Sequence, residues 1–365
     1  MKIAIDASRS TVERATGTEH YARQLIYALI ELNEQRNNPH EIVLYFRDHP
    51  APNLFPQSRF VTQTIIPFPR LWTHIRLAAA LWLSHPDVTF VPAHSLPISF
   101  PGAAVVTVHD LGYKHFPDAH EASQVRYLDW STRHSANRAT RILADSQATA
   151  DDLQLFYGIH ANKIDVVYPG VDAPKDKPGW ELYSKYEIPL SYFLFIGTLQ
   201  PRKNIERIVR AFDMWQGGNP DKNIGLVLAG KEGWLFDARW IEGVDNVHLI
   251  GYVDDEDKGA LLRQSTALIF PSLYEGFGFP VIEAMHMGTA VIASNTSSLP
   301  ELVGEAGILV DPLSIPEIAA SLDLIANNDL LRRKLGVKGM MQAKQFTWQK
   351  AAEQTLNILE DAAKL

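Results

Sequence analysis

The sequence predicts an α/β protein with two lobes, each built on a parallel β-sheet. Short apolar runs alternate with amphipathic stretches at helical spacing, which is the pattern of repeated β-α-β units. The 365 residues exceed what one hydrophobic core normally holds. A segment rich in proline and charge, Tyr168–Pro178, separates two sets of these units and marks the domain boundary.

The strands follow from the apolar runs. In the first half we predict Lys2–Asp6, Glu41–Phe46, Asp87–Val91, Ala104–Val108, Arg141–Ala144 and Lys163–Val167. In the second half we predict Tyr192–Gly197, Gly225–Ala229, Val247–Gly251, Ala267–Pro271, Ala290–Ser294 and Gly307–Val310. The second set is nearly all apolar, as expected for strands covered by helices on both faces. Apolar residues at helical spacing predict a final helix over 348–364, which could pack on either lobe.

Composition narrows the function. The formal net charge of -8 argues against nucleic acid as a partner, because phosphate-tracking surfaces need clustered Lys and Arg. The absence of cysteine excludes disulfides, thiolate zinc sites and cysteine nucleophiles. The chain enters a strand pattern at Met1, and its apolar runs are shorter than the roughly 18–20 residues of a membrane span. We therefore expect a cytoplasmic protein.

The segment Pro271–Gly288 has the strongest functional signal. A strand leads into a loop with Gly276 and Gly278 and then into a helix, whose bare N-terminal amides favour an anion. Glu275 precedes the loop and Glu283 is predicted in the first helical turn. Because a carboxylate repels a diphosphate, we expect both acids to accept hydrogen bonds from sugar or ribose hydroxyls. Alternatively, Glu283 only complements the helix dipole and Glu275 is a solvated loop charge.

A second segment places two cations after a buried strand. The strand of Phe193–Asn204 ends at Gly197, and Asn204 is predicted to cap the following helix. Arg202 and Lys203 then lie in the crevice loop at the carboxyl end of the sheet. Together they can neutralise a departing diphosphate without a metal. The alternative is a pair of solvated surface cations.

A third segment, Val105–Gly112, delivers a histidine to the edge of the first sheet. The strand is β-branched and ends immediately before His109 and Asp110. A histidine at this edge can bind a donor hydroxyl or form part of the catalytic pocket. It could equally be a strand-end histidine that bonds to Asp110.

The fourth segment, Ser8–Tyr21, follows the first strand and precedes an amphipathic helix. Gly17 permits close approach of the backbone to a ligand, but the segment lacks the Gly-x-Gly-x-x-Gly spacing of dinucleotide binders. It is interpreted as a flexible loop over the cleft or as an ordinary surface loop.

The stretch Arg70–Leu83 is aromatic and cationic on a helical pattern. It could contact a membrane or a lipid-linked acceptor. Packing in the core with the arginines extended to solvent explains the same pattern.

Together, the four functional segments resemble the retaining glycosyltransferases of family 4. The resemblance rests on Glu275 and Glu283, which are separated by seven intervening residues, and on the phrases Gly-Thr-Leu-Gln-Pro-Arg-Lys-Asn and Val-His-Asp-Leu-Gly. It implies the GT-B fold, in which two Rossmann-like doubly wound domains face a central cleft. The domains would be 1–170 on the acceptor side and 171–347 on the donor side, with 348–365 crossing back to the first.

The resemblance also implies residue roles at the reacting centre. Lys203 with Arg202 would bind the donor diphosphate, and Glu275 would orient the transferred sugar. His109 would touch that sugar from the other domain. Gly17 and Thr18 would lie near the phosphates or the acceptor.

The remaining implied roles concern the donor nucleotide. Glu283 would hold the ribose, and residues 251–253 would border the base. The donor-binding residues implied besides Glu283 are Gly276, Phe277, Gly278, Phe279, Thr198, Gly251, Tyr252 and Val253. Many relatives have an arginine where Thr198 stands, so Arg202 would substitute for it or Thr198 would contribute only a hydroxyl.

The activity implied is retaining transfer of a hexose from a nucleotide sugar, without metal or other cofactor, in polysaccharide biosynthesis. The Gly-Thr-Leu-x-Pro-Arg-Lys-Asn form is most similar to the mannosyltransferase branch, which suggests GDP-mannose before a UDP-sugar. The acceptor would be a saccharide or lipid-linked saccharide, with weak peripheral membrane contact through the N-terminal domain at the inner face of the membrane. A nucleotide-sugar epimerase or hydrolase and a non-catalytic two-lobed sugar-binding protein are the alternatives.

Overall fold

The computed structural model describes residues 1–12, 17–93, 95–119, 121–179, 181–233 and 235–365. They form two compact units. The N-terminal unit comprises Met1–Gly170 and Phe346–Leu365, and the C-terminal unit comprises Val171–Gln345.

Most strands in the described residues are followed along the chain by a helix. The strands are β1 (Lys2–Asp6), β2 (Glu41–Phe46), β3 (Val61–Ile65), β4 (Val88–Val91), β5 (Ala103–Val108), β6 (Arg141–Ala144), β7 (Ile164–Val166), β8 (Tyr192–Ile196), β9 (Gly225–Ala229), β10 (Val247–Gly251), β11 (Ala267–Phe270), β12 (Val291–Ser294) and β13 (Ile308–Val310). The helices are α1 (Gly17–Glu34), α2 (Ala78–Ser84), α3 (Gly112–His115), α4 (Ala122–Arg138), α5 (Gln147–Tyr157), α6 (Leu182–Lys185), α7 (Ile205–Gly218), α8 (Asp255–Gln264), α9 (Phe279–His286), α10 (Leu299–Val303), α11 (Ile315–Asn327), α12 (Asp329–Ala343) and α13 (Trp348–Ala362).

In its described residues, the N-terminal unit contains a seven-stranded parallel sheet in the order β3-β2-β1-β4-β5-β6-β7. The order reverses between β1 and β4, so the loops after these strands diverge there. The last helix, α13, packs against α1 and belongs to this unit.

The sheet of the C-terminal unit is also parallel, with the described order β10-β9-β8-β11-β12-β13. Its strands β8, β9, β11 and β12 are buried throughout. The direction of winding reverses between β8 and β11, and a crevice at the carboxyl ends of the strands is expected at such a reversal. The segments Phe193–Asn204 and Pro271–Gly288, which have the strongest functional signal, continue from β8 and β11 into loops at this reversal.

The predicted strands are correct to within one residue at each end, and β3 was missed. Its sequence, Val-Thr-Gln-Thr-Ile, is partly exposed and half polar, so it lacks the apolar signal used for the others. β3 pairs only with β2 at the edge of the described sheet, where one side needs no partner strand.

The predicted helix within Arg70–Leu83 is present as a π-helical turn, Thr73–Leu77, followed by α2. Five of its side chains face the core: Trp72, Leu77, Ala78, Ala80 and Leu81. Four large apolar side chains stay exposed: Leu71, Ile75, Trp82 and Leu83. Core packing therefore explains only one face of the segment. Among the described residues, no helix combines the length and apolarity needed to cross a bilayer.

Candidate active site

Two loops meet at the point where the C-terminal sheet reverses its winding. The loop after β8 carries Arg202 and Lys203, and the loop after β11 carries Glu275. Their backbones are joined because the amide of Leu273 donates to the carbonyl of Arg202 at 2.9 Å. The topology therefore brings three of the predicted site residues to one edge of the sheet.

Asn204 fixes these loops, but not by capping α7 as the sequence suggested. It has a left-handed backbone (φ 65°) and no side-chain cap bond. Its amide instead donates to the carbonyls of Pro271 at 2.9 Å and Pro312 at 2.7 Å, which follow β11 and β13. Because the side chain is almost fully buried, this bridge ties three strand ends together.

Glu275 binds both cations through its two carboxylate oxygens. The ammonium of Lys203 donates to Oε1 at 2.6 Å, and the guanidinium of Arg202 donates to Oε2 at 3.1 Å and to the carbonyl of Tyr274 at 2.7 Å. Lys203 also lies over the ring of Phe270, 4.9 Å from its centroid. The two cations are therefore held side by side rather than left on long solvated stems.

The charges of this cluster do not cancel. Glu275 is 6% exposed, so the structure excludes the solvated loop charge that the sequence left open. Burial alone would raise the pKa of its carboxyl, but Lys203 and Arg202 outweigh burial and hold that pKa below its usual range. Counted over these three groups alone, an ionised acid beside two cations leaves one net positive charge, which suits a diphosphate that shares the cations with Glu275.

The loop between Glu275 and α9 needs glycine. Gly278 has φ +127°, and a Cβ there would lie 2.7 Å from a methyl carbon of Leu299. The hydroxyl of Ser297 accepts from the amide of Glu275 at 3.0 Å. That of Ser298 lies within hydrogen-bonding distance of the carbonyls of Glu275 and Phe277. These contacts direct the loop into the N-terminus of α9.

Glu283 is the fifth residue of α9, so its predicted place in the first turn is wrong. It is not a complement to the helix dipole, because such charges act within the first turn. Its Oε1 accepts from the ammonium of Lys258 on α8 at 2.5 Å. Its Oε2 is buried and has no hydrogen-bond partner among the described residues. The acid therefore retains one unused acceptor.

The residues expected around the donor nucleotide follow β8, β10 and β11. Tyr252 is 59% exposed, and the ammonium of Lys231 lies 5.4 Å from its ring centroid. The side chain of Val253 is buried, and that of Thr198 is exposed. Gly251 has φ +69° and ends β10. The rings of Phe277 and Phe279 lie 5.2 Å apart in an edge-to-face contact, and Gly276 is buried between Glu275 and Phe277.

His109 lies in the N-terminal unit and pairs with Asp145 rather than only with its chain neighbour Asp110. Its Nδ1 lies 2.7 Å from the carboxylate of Asp145, and its Nε2 lies 3.1 Å from the carbonyl of Pro92, just after β4. Since the carbonyl of Pro92 can only accept, Nε2 carries a proton and donates to it, while Nδ1 shares a proton with the carboxyl of Asp145. Burial would lower the pKa of His109, but Asp145 outweighs it and raises that pKa. Burial also raises the pKa of Asp145, and the ring acts here as a donor through Nε2.

The segment Ser8–Tyr21 is described except for residues 13–16, which lie outside the described residues. Gly17 and Thr18 begin α1 in the N-terminal unit. Glu19, one residue further, is buried and its carboxylate lies 3.6 Å from the guanidinium of Arg9.

Several residues that shape these sites were not among those predicted from the sequence: Asp145, Lys258, Ser297 and Ser298. Asp145 could have been found, because it follows β6 beside the strand that carries His109. Nothing in the sequence indicates a functional role for Lys258, because it lies within a run of charged residues that is typical of a solvated helix face.

Two protein-family models match the chain. The model described as Glycosyltransferase Family 4 matches residues 15–174, and the model described as Glycosyl transferases group 1 matches residues 185–340. The matches thus fall on both units.

One curated relative is the O-antigen chain mannosyltransferase B of Escherichia coli. It is 33% identical over 264 residues, which cover 70% of this chain and 69% of the relative. Among solved structures, sucrose-phosphate synthase of Thermosynechococcus elongatus superposes with a TM-score of 0.75 at 22% identity, covering 99% of this chain and 98% of that one. The Alr3699/HepE protein of Anabaena, crystallised with UDP and glucose, gives 0.71 at 16% identity, covering 99% and 100%. These structural neighbours share the GT-B fold with this chain.

Proposed function

We propose that this chain, which belongs to the family 4 (group 1) glycosyltransferases, transfers mannose from GDP-mannose to a saccharide or lipid-linked saccharide with retention of anomeric configuration. The observation that carries the proposal is the cluster of Lys203, Arg202 and Glu275 at the reversal of the C-terminal sheet. Its net positive charge can stabilise a leaving diphosphate, and its carboxylate can accept a hydrogen bond from a sugar hydroxyl. The mannosyl group is supported by the relative named a mannosyltransferase.

In the proposed reaction the bond between the anomeric carbon and the diphosphate oxygen breaks, and the acceptor hydroxyl bonds to that carbon on the same face. The hydroxyl proton passes to a phosphate oxygen of the leaving group. Lys203 and Arg202 stabilise the charge that grows on this group as the bond breaks. Glu275, fixed by the same cations, orients the sugar.

We propose that this chemistry needs no metal ion. This proposal is supported by two cations held within hydrogen-bonding distance of one carboxylate, which can offset the diphosphate charge that a divalent ion would otherwise offset. Removal of divalent metal ions by chelation tests this proposal. Transfer rates should be unchanged after dialysis against EDTA, and a loss restored by Mg²⁺ or Mn²⁺ would overturn it.

The donor and reaction class are tested together by product analysis. The protein is incubated with the mannose and glucose esters of GDP, UDP and ADP, with and without mannoside acceptors. We expect GDP-mannose to be consumed only when acceptor is present, and proton NMR to show an α-linked product. Free mannose formed at the same rate without acceptor would indicate a hydrolase. An altered nucleotide sugar would indicate an epimerase, and binding without turnover a sugar-binding protein.

We further propose that the N-terminal unit contacts an anionic bilayer through the apolar face formed by Leu71, Ile75, Trp82 and Leu83. These side chains are between 48% and 83% exposed. On α4, Trp130 is 44% exposed and its ring lies 5.7 Å from that of His74, so the apolar face continues across two helices. Aromatic and aliphatic side chains beside Arg70 and Arg76 match the interface of acidic lipids.

Vesicle co-sedimentation tests this surface. The protein should bind phosphatidylglycerol-containing vesicles and should not bind neutral vesicles. We expect the double variant Ile75→Ser with Leu83→Ser to lose most of this binding, since each apolar side chain contributes roughly 1.5–3 kcal/mol when buried. Leu190→Ser, at an exposed site in the C-terminal unit, is the matched control. Equal binding by all three proteins would contradict the proposal.

A further inference from the structure

The pair formed by Lys258 and Glu283 has properties that a structural ion pair does not require. The ammonium lies 2.5 Å from Oε1 of the acid, and the two side chains are 26% and 14% exposed. The second oxygen, Oε2, is buried and meets no hydrogen-bond partner in the described part of the chain. Leaving a charged acceptor unsatisfied destabilises a folded protein, so such an atom is expected to meet a donor in the functional state.

The hydrogen-bonding groups that this contact does not use include both acceptors on Glu283 and donors on Lys258. A carboxylate offers about four acceptor positions and an ammonium three donors, and the contact between them consumes one of each. The terminal torsion of a glutamate is broad and roughly two-fold. The carboxylate can therefore turn so that Lys258 keeps one oxygen while the other receives a ligand hydroxyl.

We propose that Lys258 is a positioning residue that makes Glu283 a reader of the ribose hydroxyls of the donor. A hydroxyl is both donor and acceptor. It can donate to the free carboxylate oxygen and accept from a remaining N–H of Lys258. The pair therefore favours a ribose over a deoxyribose, which lacks this hydroxyl at the same position. This proposal rests on the proposed function and on the role that the family resemblance implies for Glu283, which is to hold the ribose.

The position of Lys258 in the fold supports a role beyond joining two helices. The N-terminal half of α8 is already fastened to preceding parts of the chain by other ion pairs. Lys177 pairs with Glu256, and Lys185 pairs with Asp254 at 2.8 Å and with Asp257 at 2.5 Å. The two lysines of these pairs are about half exposed. Lys258 is the residue of this group whose partner belongs to the predicted nucleotide site.

The experiment compares the binding of GDP, 2′-deoxy-GDP and 3′-deoxy-GDP by calorimetry, with the UDP series in parallel. Wild-type protein should bind the ribonucleotide about ten- to a hundredfold more tightly than at least one deoxy form, because a lost hydrogen bond to a charged group costs that much. Lys258→Met should reduce this ratio to within about threefold. Lys258→Arg, which keeps the charge and donors, should retain most of it.

Control measurements distinguish recognition of the ribose hydroxyls from an effect on folding. Lys177→Met removes a lysine that pairs with the same helix and should leave the ratio unchanged. Thermal unfolding of Lys258→Met reports any loss of stability, and a purely structural role would weaken GDP and its deoxy forms equally. That outcome, or a wild-type ratio near one, overturns this proposal. If the wild-type protein bound none of the nucleotides, the proposed function itself would fail.

Discussion

Replacement of Lys203 by methionine is expected to lower kcat/KM for the nucleotide-sugar donor by about 10²–10³-fold, the range seen when one preorganised donor to a developing anion is removed. The ammonium lies 2.6 Å from Glu275 and is 12% exposed, so it acts in a place where water screens it little. Methionine keeps the length of the stem and removes only the charge and its donors. Steady-state transfer kinetics with saturating acceptor measure the effect.

Two controls make this result interpretable. Arg210→Met, on the exposed side of α7, removes a cation whose partner is Glu206 and should leave the kinetics unchanged. Thermal unfolding of Lys203→Met is the second control, because Arg202 still pairs with Glu275 in this variant. If Lys203→Met unfolds near the wild-type temperature but transfers slowly, the loss belongs to the chemistry. Wild-type rates in Lys203→Met would disprove the assignment of the site.

The parts of the fold that the sequence predicted are those with a strong local signal. Strands such as β8 and β11 are buried on both faces, so their apolar runs are continuous and identify them. The edge strand β3 has no such run, because only one of its sides is paired in the described sheet. Order within a sheet is not a local property, so the reversal between β8 and β11 could only be read from the structure.

The candidate site shows the same limit at the level of side chains. Arg202, Lys203 and Glu275 could be singled out because each follows a strand. That the acid binds both cations depends on contacts between residues about 70 positions apart. Asn204 illustrates how a local rule fails. Its place before a helix predicted a cap, but its side-chain NH2 donates to two carbonyls at neighbouring strand ends, and its side-chain oxygen accepts from Arg207 instead of a helix amide.

Glu275 provides the second large effect, in stability as well as activity. Glu275→Gln preserves the shape of the side chain but leaves Lys203 and Arg202 beside a neutral group. Removing one partner from a buried charge cluster typically destabilises a protein by about 3–5 kcal/mol. For a unit of this size, about 3 kcal/mol corresponds to roughly 6–12 °C in Tm. Differential scanning calorimetry near neutral pH measures the shift.

The pH dependence of this shift identifies its cause. Because the pKa of Glu275 is lowered in the folded chain, its contribution is fully present above the unfolded value of about 4.3 and is lost as pH falls through the folded value. A protonated glutamic acid resembles glutamine in charge and shape. The gap in Tm between wild type and Glu275→Gln should therefore narrow as the pH drops below about 4.3.

A matched substitution at the surface tests whether the effect depends on burial. Glu206→Gln removes the acid of an exposed pair with Arg210, and such pairs contribute about 0–1 kcal/mol. Its Tm should stay close to that of wild type across the same pH range. A Glu275→Gln variant as stable as wild type would mean that the two cations do not depend on this acid. The cluster would then not be the preorganised charge on which diphosphate departure is proposed to rely.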